Sequence, residues 1–321
     1  MTHEGAGAEP RQTKVSVVIV VWNAQKYVAH CLQSLKREYP CSNLEVIVVD
    51  NASTDGAPEF VERNYPEIKL IRNSENLGFA KANNIGIAAS TGDVICLINS
   101  DVEFTQNCFD PMLHYLSAHP DVGMLGPKMI APNGHVARST LRFPTVWNMF
   151  CRAMGLDLLF KKSIFGDQLM RDFGHQSTAD VEVLTGWFWM IPRSALEAVG
   201  SLDEQFFMYG EDVDWCYRFH RAGKRVVFFA GAEALHYGGA SSATAPIRFF
   251  VEKQRANIQF GRKHYGILRR LGLFVTGLLY HFVRVVGYGF VWLIKPSQRE
   301  SAVAKYRRSA ICLQWLIKAP I

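Results

Sequence analysis

The chain has 321 residues, of which 49% are apolar and 20% charged, so global disorder is excluded and a substantial core is affordable. The length suits one large α/β domain with a C-terminal extension. The net charge of +6 is unevenly spread: residues 1–247 carry 21 Lys/Arg and 27 Asp/Glu, whereas residues 248–321 carry 14 Lys/Arg and 2 Asp/Glu. A basic tail of this kind implies an anionic surface as partner.

Residues 1–13 form a small, polar tail without an apolar run, which predicts an N-terminus that stays in the cytoplasm. Lys14–Val21 is a β-branched apolar run and predicts a fully buried strand. Val28, Leu32 and Leu35 fall at helical spacing within Ala24–Lys36. Leu44–Val49 is a second buried strand that ends in Asp50-Asn51-Ala52-Ser53. A helix over Pro58–Asn64, a strand over Ile68–Arg72, a helix over Asn83–Ser90 and a strand over Asp93–Ile98 follow. The last of these ends in Asn99-Ser100-Asp101. Strands alternate with helices and polar residues gather at strand C-termini. This is the doubly wound α/β pattern, in which ligands bind beyond the carboxyl ends of the strands.

Residues 131–180 mix Pro, Gly, aromatic and basic residues and predict an irregular insertion beside the site. Val181–Ile191 is apolar and predicts a strand. Asp212–Ala222 predicts a helix, and Arg225–Ala230 a strand running toward His236. The seven cysteines include no CxxC pair and no zinc-finger spacing, which predicts reduced, buried thiols.

Leu271–Ile294 is long enough to cross a bilayer. Its polar residues, however, fall on one helical stripe with their neighbours: Arg270, Gly277, His281, Arg284, Tyr288 and Lys295. A stripe favours a helix lying in the membrane interface, with Lys305, Arg307 and Arg308 facing anionic head groups. The alternatives are a clean span, or a helix packed on the protein with its stripe toward water. Long aliphatic runs and the lack of a recognisable binding module disfavour nucleic acid as the partner.

Glu211, Asp212 and Asp214 lie among Phe206, Phe207, Trp215 and Phe219. Carboxylates seldom cluster among large apolar side chains unless they are paired, bound to a cation or held in a chosen protonation state. The competing explanation is a solvated helix start, where acids offset the helix dipole. Asp50 and Asp101 end strands and His236 follows one, so all share one end of the expected sheet.

Six segments then carry a family resemblance: VSVVIVVWNA (15–24), VIVVDNASTDG (46–56), NLGFAKANNIGI (76–87), LINSDV (97–102), FFMYGEDVDWCYR (206–218) and HYGGAS (236–241). In this order the chain resembles the family 2 glycosyltransferases, and most of all their bacterial rhamnosyltransferase-like branch. The resemblance implies a GT-A type, Rossmann-like mixed sheet flanked by helices over residues 14–245, and the charge and apolar pattern beyond it predict a basic, amphipathic helical extension over 246–321. It also implies roles. Asp50 matches the position that meets a pyrimidine base, and Asn23, Gly78 and Asn83 line the nucleotide site. Asp101 matches the last position of an Asp-x-Asp metal motif whose first position here is Asn99. His236 matches a third metal-contacting position. Asp212 matches the catalytic base, and Glu211 would orient the acceptor or position Asp212. Asp214 is left to the first helical turn. Trp187 and Trp189 either stack on a sugar or pack in the core.

The implied cofactor is Mg²⁺ or Mn²⁺, with weaker protein ligation because Asn99 removes one formal charge. The implied partners are a nucleoside-diphosphate sugar, dTDP-rhamnose ahead of a UDP-sugar, and a polyprenyl-diphosphate-linked saccharide at the cytoplasmic face of the membrane. The Gln-x-x-Arg-Trp motif of processive members is missing, which points to transfer of a single sugar. The rival classes are a nucleotidyltransferase and an inactive sugar-nucleotide-binding homologue. The first is disfavoured because the opening strand ends in Val-Trp-Asn-Ala and not in a Gly-rich basic loop.

Overall fold

The computed structural model describes residues 13–40, 43–160, 165, 168–238 and 246–319. Most of the N-terminal tail, Cys41 and the last three residues of the HYGGAS segment lie outside these. In chain order the elements are β1 (Val15–Val21), α1 (Gln25–Glu38), β2 (Leu44–Asp50), α2 (Ala57–Asn64), β3 (Lys69–Arg72), α3 (Phe79–Ala89), β4 (Val94–Asn99), β5 (Val102–Glu103), α4 (Phe109–Ala118) and β6 (Val122–Ile130). Then come β7 (Val136–Ala137), β8 (Thr140–Leu141), α5 (Val146–Met154), α6 (Leu156–Leu159), β9 (Ala179–Asp180), β10 (Val183–Leu184), β11 (Phe188–Pro192), α7 (Arg193–Val199), α8 (Glu211–Arg221) and β12 (Arg225–His236). Three helices close the chain: α9 (Pro246–His264), α10 (Ile267–Ile294) and α11 (Arg299–Lys318).

The main sheet runs in the order β3-β2-β1-β4-β11-β6-β12-β5. β1 pairs in parallel with β2 and β4, and β2 with β3. β11 is antiparallel to β4, so the sheet is mixed. Both faces are covered, which is why β1 and β4 read as unbroken apolar runs. Val15, Val17, Ile19 and Val21 point into one core layer with residues of α1, α2 and α4, whereas Val18 joins the opposite layer with residues of α3, α7 and α8.

Three local differences from the sequence reading have physical causes. α3 begins at Phe79, four residues before the expected start, because Gly78 (φ +82°) turns the chain there. The apolar stretch 181–191 is two strands, not one. Thr185–Trp187 interrupts it, and β10 pairs with β8 while β11 joins the main sheet. β12 continues to His236, beyond the expected Ala230. A register shift between Phe229 and Glu233 lets it continue past Pro127 of β6. The irregular region 131–180 holds short strands and two helices, and α5 packs tightly against α10. A Cβ at Gly272 would lie 2.6 Å from Val146.

The middle of the α10 polar stripe, from Gly277 to Arg284, faces the protein, contrary to the expectation that the stripe would face head groups or water. Gly277 and His281 are buried, and the Arg284 guanidinium donates toward the Ala153 carbonyl of α5 and toward Tyr280. The outward face is the apolar one: Leu268, Leu271, Val275, Phe282, Val286, Phe290 and Leu293 recur at helical spacing and are exposed.

Candidate active site

Beyond the carboxyl ends of β1 and β4, and under the C-terminal helices, lies a cleft of about 600 Å³. One wall is built from strand ends. β5 pairs antiparallel with β12 so that His236 sits opposite Val102, and Tyr237 N–H donates to the Asp101 carbonyl. This register delivers His236 Nε2 to 3.1 Å from Asp101 Oδ1, with the Asn99 amide 3.4 Å from the same nitrogen. Asp101 is 7% exposed and Trp187 stacks against the His236 ring at 5.4 Å. An Nε2–H that donates to Asp101 cannot also accept from Asn99, so the arrangement that satisfies both neighbours turns the Asn99 amide oxygen toward the imidazole. Two oxygens and a ring nitrogen then converge on the place of one proton, a donor set that suits a divalent cation needing further ligands from an anion. Among the described residues no group of three or more His, Cys, Asp and Glu gathers elsewhere for a metal, and this pair falls short of that number because position 99 is Asn.

The loops beside this wall are held by asparagines. Asn23, with φ +48°, accepts from Thr54 N–H and donates its own N–H to Ser53, tying the end of β1 to the loop after β2. Asp50 is buried and accepts from Ser53 N–H. Asp55 accepts from Gln25 and Ala57 N–H, the first residues of α1 and α2. Asn51, which sequence reasoning passed over, bonds Asn76, Leu77 and the Gly78 carbonyl and shapes the cleft floor. Gly78 also lines the cleft, but what demands glycine is a neighbouring backbone: a Cβ there would lie 2.2 Å from the Phe207 carbonyl oxygen. Asn83 is buried within α3 and donates back to the Phe79 carbonyl, away from the cleft lining. Trp189 packs in the core and Trp187 on the cleft wall.

The acidic segment divides into three fates at the start of α8. Gly210 (φ +84°) turns the chain into the helix and packs so closely on α9 that a Cβ would meet Ala256 at 2.7 Å. Asp212 faces the cleft and accepts from Val213 N–H at 2.8 Å. Burial raises its carboxyl above the usual range, against the pull of that backbone bond and of the Lys253 charge. Glu211 is 5% exposed, and its Oε2 has no hydrogen-bond partner. Burial and then the Asp212 charge push Glu211 well above the carboxylate range. Asp214 turns the other way. It is fully buried and meets Arg218 at 2.9 Å, Lys263 at 2.8 Å and His264 at 2.6 Å. Burial works against its ionisation, but the bonds to His264 and Lys263 and the Arg218 charge outweigh it and hold Asp214 below the usual range. It therefore pins α9 to the helix that carries Asp212.

The opposite wall comes from the C-terminal helices and α5. Arg152, Lys253, His281, Arg284 and Arg308 line the same cleft as Asp212. In sequence His281 and Arg284 were placed on the polar stripe and Arg308 was expected to face head groups, whereas here Arg308 lines the cleft; Lys253 and Arg152 carried no motif.

A mixed, mostly parallel sheet flanked by helices, with a polar cleft at its strand ends, is the GT-A glycosyltransferase architecture. The family described as Glycosyl transferase family 2 matches residues 16–200. An N-acetylglucosaminyl-diphospho-decaprenol L-rhamnosyltransferase of Mycobacterium tuberculosis is 31% identical over 243 residues, covering 72% of this chain and 78% of the relative. A mannosyltransferase from Pyrobaculum calidifontis, solved with GDP-Man and Mn²⁺, superposes with TM-score 0.55 at 18% identity, over 95% of this chain and 85% of its own. GalNAc-T7, solved with UDP, GalNAc and Mn²⁺, gives 0.54 at 16% identity, over 77% of this chain and 48% of its own. The chain belongs to glycosyl transferase family 2 and is a glycosyltransferase.

Proposed function

We propose that this chain moves a single sugar, best read as L-rhamnose from dTDP-rhamnose, onto a lipid-linked saccharide with inversion at the anomeric carbon. The observation that carries this reading is one cleft lined both by the carboxylate of Asp212 and by the Asn99–Asp101–His236 cluster. The rhamnosyltransferase relative, whose name specifies an N-acetylglucosaminyl-diphospho-decaprenol acceptor, supports the choice of sugar and acceptor.

Asp101 and His236, with the Asn99 amide oxygen, would hold Mg²⁺ or Mn²⁺. When bound, such a cation supplies positive charge to the diphosphate of the donor. Asn51 and Gly78 would border the nucleotide beside it, with Asp50 and Asn23 shaping that loop from behind. Asp212 takes the proton of the acceptor hydroxyl as its oxygen bonds to the anomeric carbon. The bond from that carbon to the diphosphate oxygen breaks, and the nucleoside diphosphate leaves with the electron pair. A base needs a pKa lifted toward neutrality to accept a proton well, and burial supplies that lift.

Residues 14–245 form the catalytic domain in this reading, and 246–321 an extension that closes the cleft and rests on the cytoplasmic face of the membrane. α10 is long and apolar enough to cross a bilayer, yet its polar stripe is spent inside the protein. The exposed apolar face, with exposed Lys305 and Arg307 nearby on α11, supports a helix lying flat.

The test is a donor panel of dTDP-rhamnose, UDP-GlcNAc, UDP-galactose and GDP-mannose with a GlcNAc-diphosphate-polyprenol and Mg²⁺ or Mn²⁺. Rhamnosyl transfer with release of dTDP is expected. Transfer from another donor alone would overturn the sugar, and release of pyrophosphate from a nucleoside triphosphate would favour a nucleotidyltransferase.

A further inference from the structure

Four helices each send one cation into the acceptor side of the cleft: Arg152 from α5, Lys253 from α9, Arg284 from α10 and Arg308 from α11. They lie within reach of one another's fields. Arg152 and Arg308 both disfavour the charged form of Lys253, after burial, while Asp212 favours it. The Arg284 guanidinium lies 3.4 Å over the Tyr280 ring, with the Arg152 guanidinium 5.8 Å from the same ring, and Arg308 sits 4.1 Å over Phe250. None of the four forms an ion pair among the described residues. Elsewhere the same chain does pair its cations, with Arg225 on Asp121 and Asp180 and Lys263 on Asp203 and Asp214. Gathering four like charges in a concave, partly desolvated place, with Asp212 the nearby carboxylate felt by Lys253 and no ion pair to any of the four, is unfavourable unless a further anion completes it.

His281 adds an independent sign. It is 4% exposed and lines this cleft, and neither ring nitrogen has a hydrogen-bond partner. Burial, then the charges of Arg284 and Arg308, lower it to about 4, so it is neutral at physiological pH and holds one unused N–H donor. A buried imidazole without a partner is costly in the absence of a ligand.

We propose that Arg152, Lys253, Arg284 and Arg308, with the His281 ring, form a binding site for the diphosphate of a polyprenyl-diphosphate-linked acceptor. The proposal rests on the transferase reading for one point, that Asp212 receives the acceptor hydroxyl. Lys253 lies close enough to Asp212 to be felt by it, so an anionic group here stands next to the base, where a sugar joined directly to a diphosphate would need it. Arginine forks and a lysine ammonium suit diphosphate oxygens. The apolar surroundings fit the lipid. Trp147 and Met154 of α5, with Leu158, Leu159 and Phe160 at and just beyond α6, are exposed on the segment that carries Arg152. A chain leaving the diphosphate over α5 and α10 would emerge onto the same outward apolar surface.

The test measures binding to the full chain of three probes: a polyprenyl diphosphate and the matching uncharged polyprenol, each in neutral detergent micelles, and dTDP with Mn²⁺. The polyprenyl diphosphate should bind at least about tenfold more tightly than the alcohol. Arg308→Gln and Lys253→Gln should each weaken it by about tenfold and leave dTDP affinity unchanged. Arg308→Lys should retain most of the binding, and because Lys253 is an exposed residue its variant tests the site even if Arg308→Gln unfolds. Unchanged polyprenyl-diphosphate affinity in both Gln variants would overturn the site. So would a parallel fall in dTDP affinity, because the cations would then serve the donor. Failure of the wild-type chain to bind dTDP, with charge-dependent binding of the lipid diphosphate retained, would sink the donor reading and leave this site standing.

Discussion

The two walls of the cleft are built by opposite means. The strand-end wall places Asn99, Asp101 and His236 by sheet register, with few side chains and a dense net of backbone bonds. The helical wall places its cations on four separate helices that pack on one another, one of which, α9, is pinned to α8 by the buried acid Asp214. A sheet fixes geometry to fractions of an ångström, which suits chemistry at a reacting centre. Separate helices give a broader, more adjustable surface, which suits a bulky acceptor. Asp212 stands at the seam, on a helix that belongs to the first wall and is pinned to the second.

Removing the proposed base tests the seam most severely. Asp212→Asn keeps the shape and the bond from Val213 but cannot take a proton, and kcat should fall by about 10²- to 10⁴-fold. Titration of donor nucleotide into the variant should show unchanged affinity. Full turnover would exclude Asp212 as the base.

The link between the walls comes next. Asp214→Asn leaves Arg218, Lys263 and His264 around a buried site without their anion, and the fold should lose about 3 kcal/mol in denaturant melts. Because the folded-state pKa of Asp214 lies below its unfolded value, this contribution is present at neutral pH. It is lost as pH falls through the carboxylate range toward the folded pKa. The wild-type advantage over the variant should therefore shrink in acid. An advantage that does not change with pH would mean that Asp214 acts by packing alone.

The walls also differed in how far sequence revealed them. The strand-end wall was legible because β-branched runs stopping at Asx residues mark parallel strands and their ligand-binding ends. β6 was not, since Gly123, Gly126 and Pro127 break the strand pattern and are tolerated only where close packing and a register shift accommodate them. The helical wall showed its amphipathic period and its charge but not its direction. Periodicity states that two faces differ; it does not say which one meets solvent. For α10 the polar face is the inner one because four helices share a charged cleft there. Asp214 was left to the first helical turn, where it lies with Arg218 at i+4, while its partners Lys263 and His264, about fifty residues later, were beyond any local pattern.

The outward face of the helical wall offers a smaller effect. Phe282 and Phe290 are 57% and 61% exposed on the apolar side of α10. Replacing each with Ser should weaken partition onto anionic vesicles by about tenfold per ring, with no change in melting temperature. Undiminished pelleting with membranes would move the anchor elsewhere in the chain.

The smallest expected effect asks whether the two walls communicate electrostatically. The positive charge of Lys253 favours ionised Asp212, while burial disfavours it. In Lys253→Gln the burial of Asp212 remains and the nearby cation is gone, so its pKa should rise further. The acidic limb of the kcat/KM profile, which reports protonation of the free base, should then move to higher pH. Lys253→Arg keeps the charge and should leave the limb in place. Since the same lysine is proposed to meet the acceptor diphosphate, the KM for acceptor should rise in Lys253→Gln at every pH, and the displacement of the limb separates the two roles. A raised KM with an unmoved limb would mean that the helical wall binds acceptor without tuning the base. A moved limb with an unchanged KM would mean that Lys253 serves Asp212 alone.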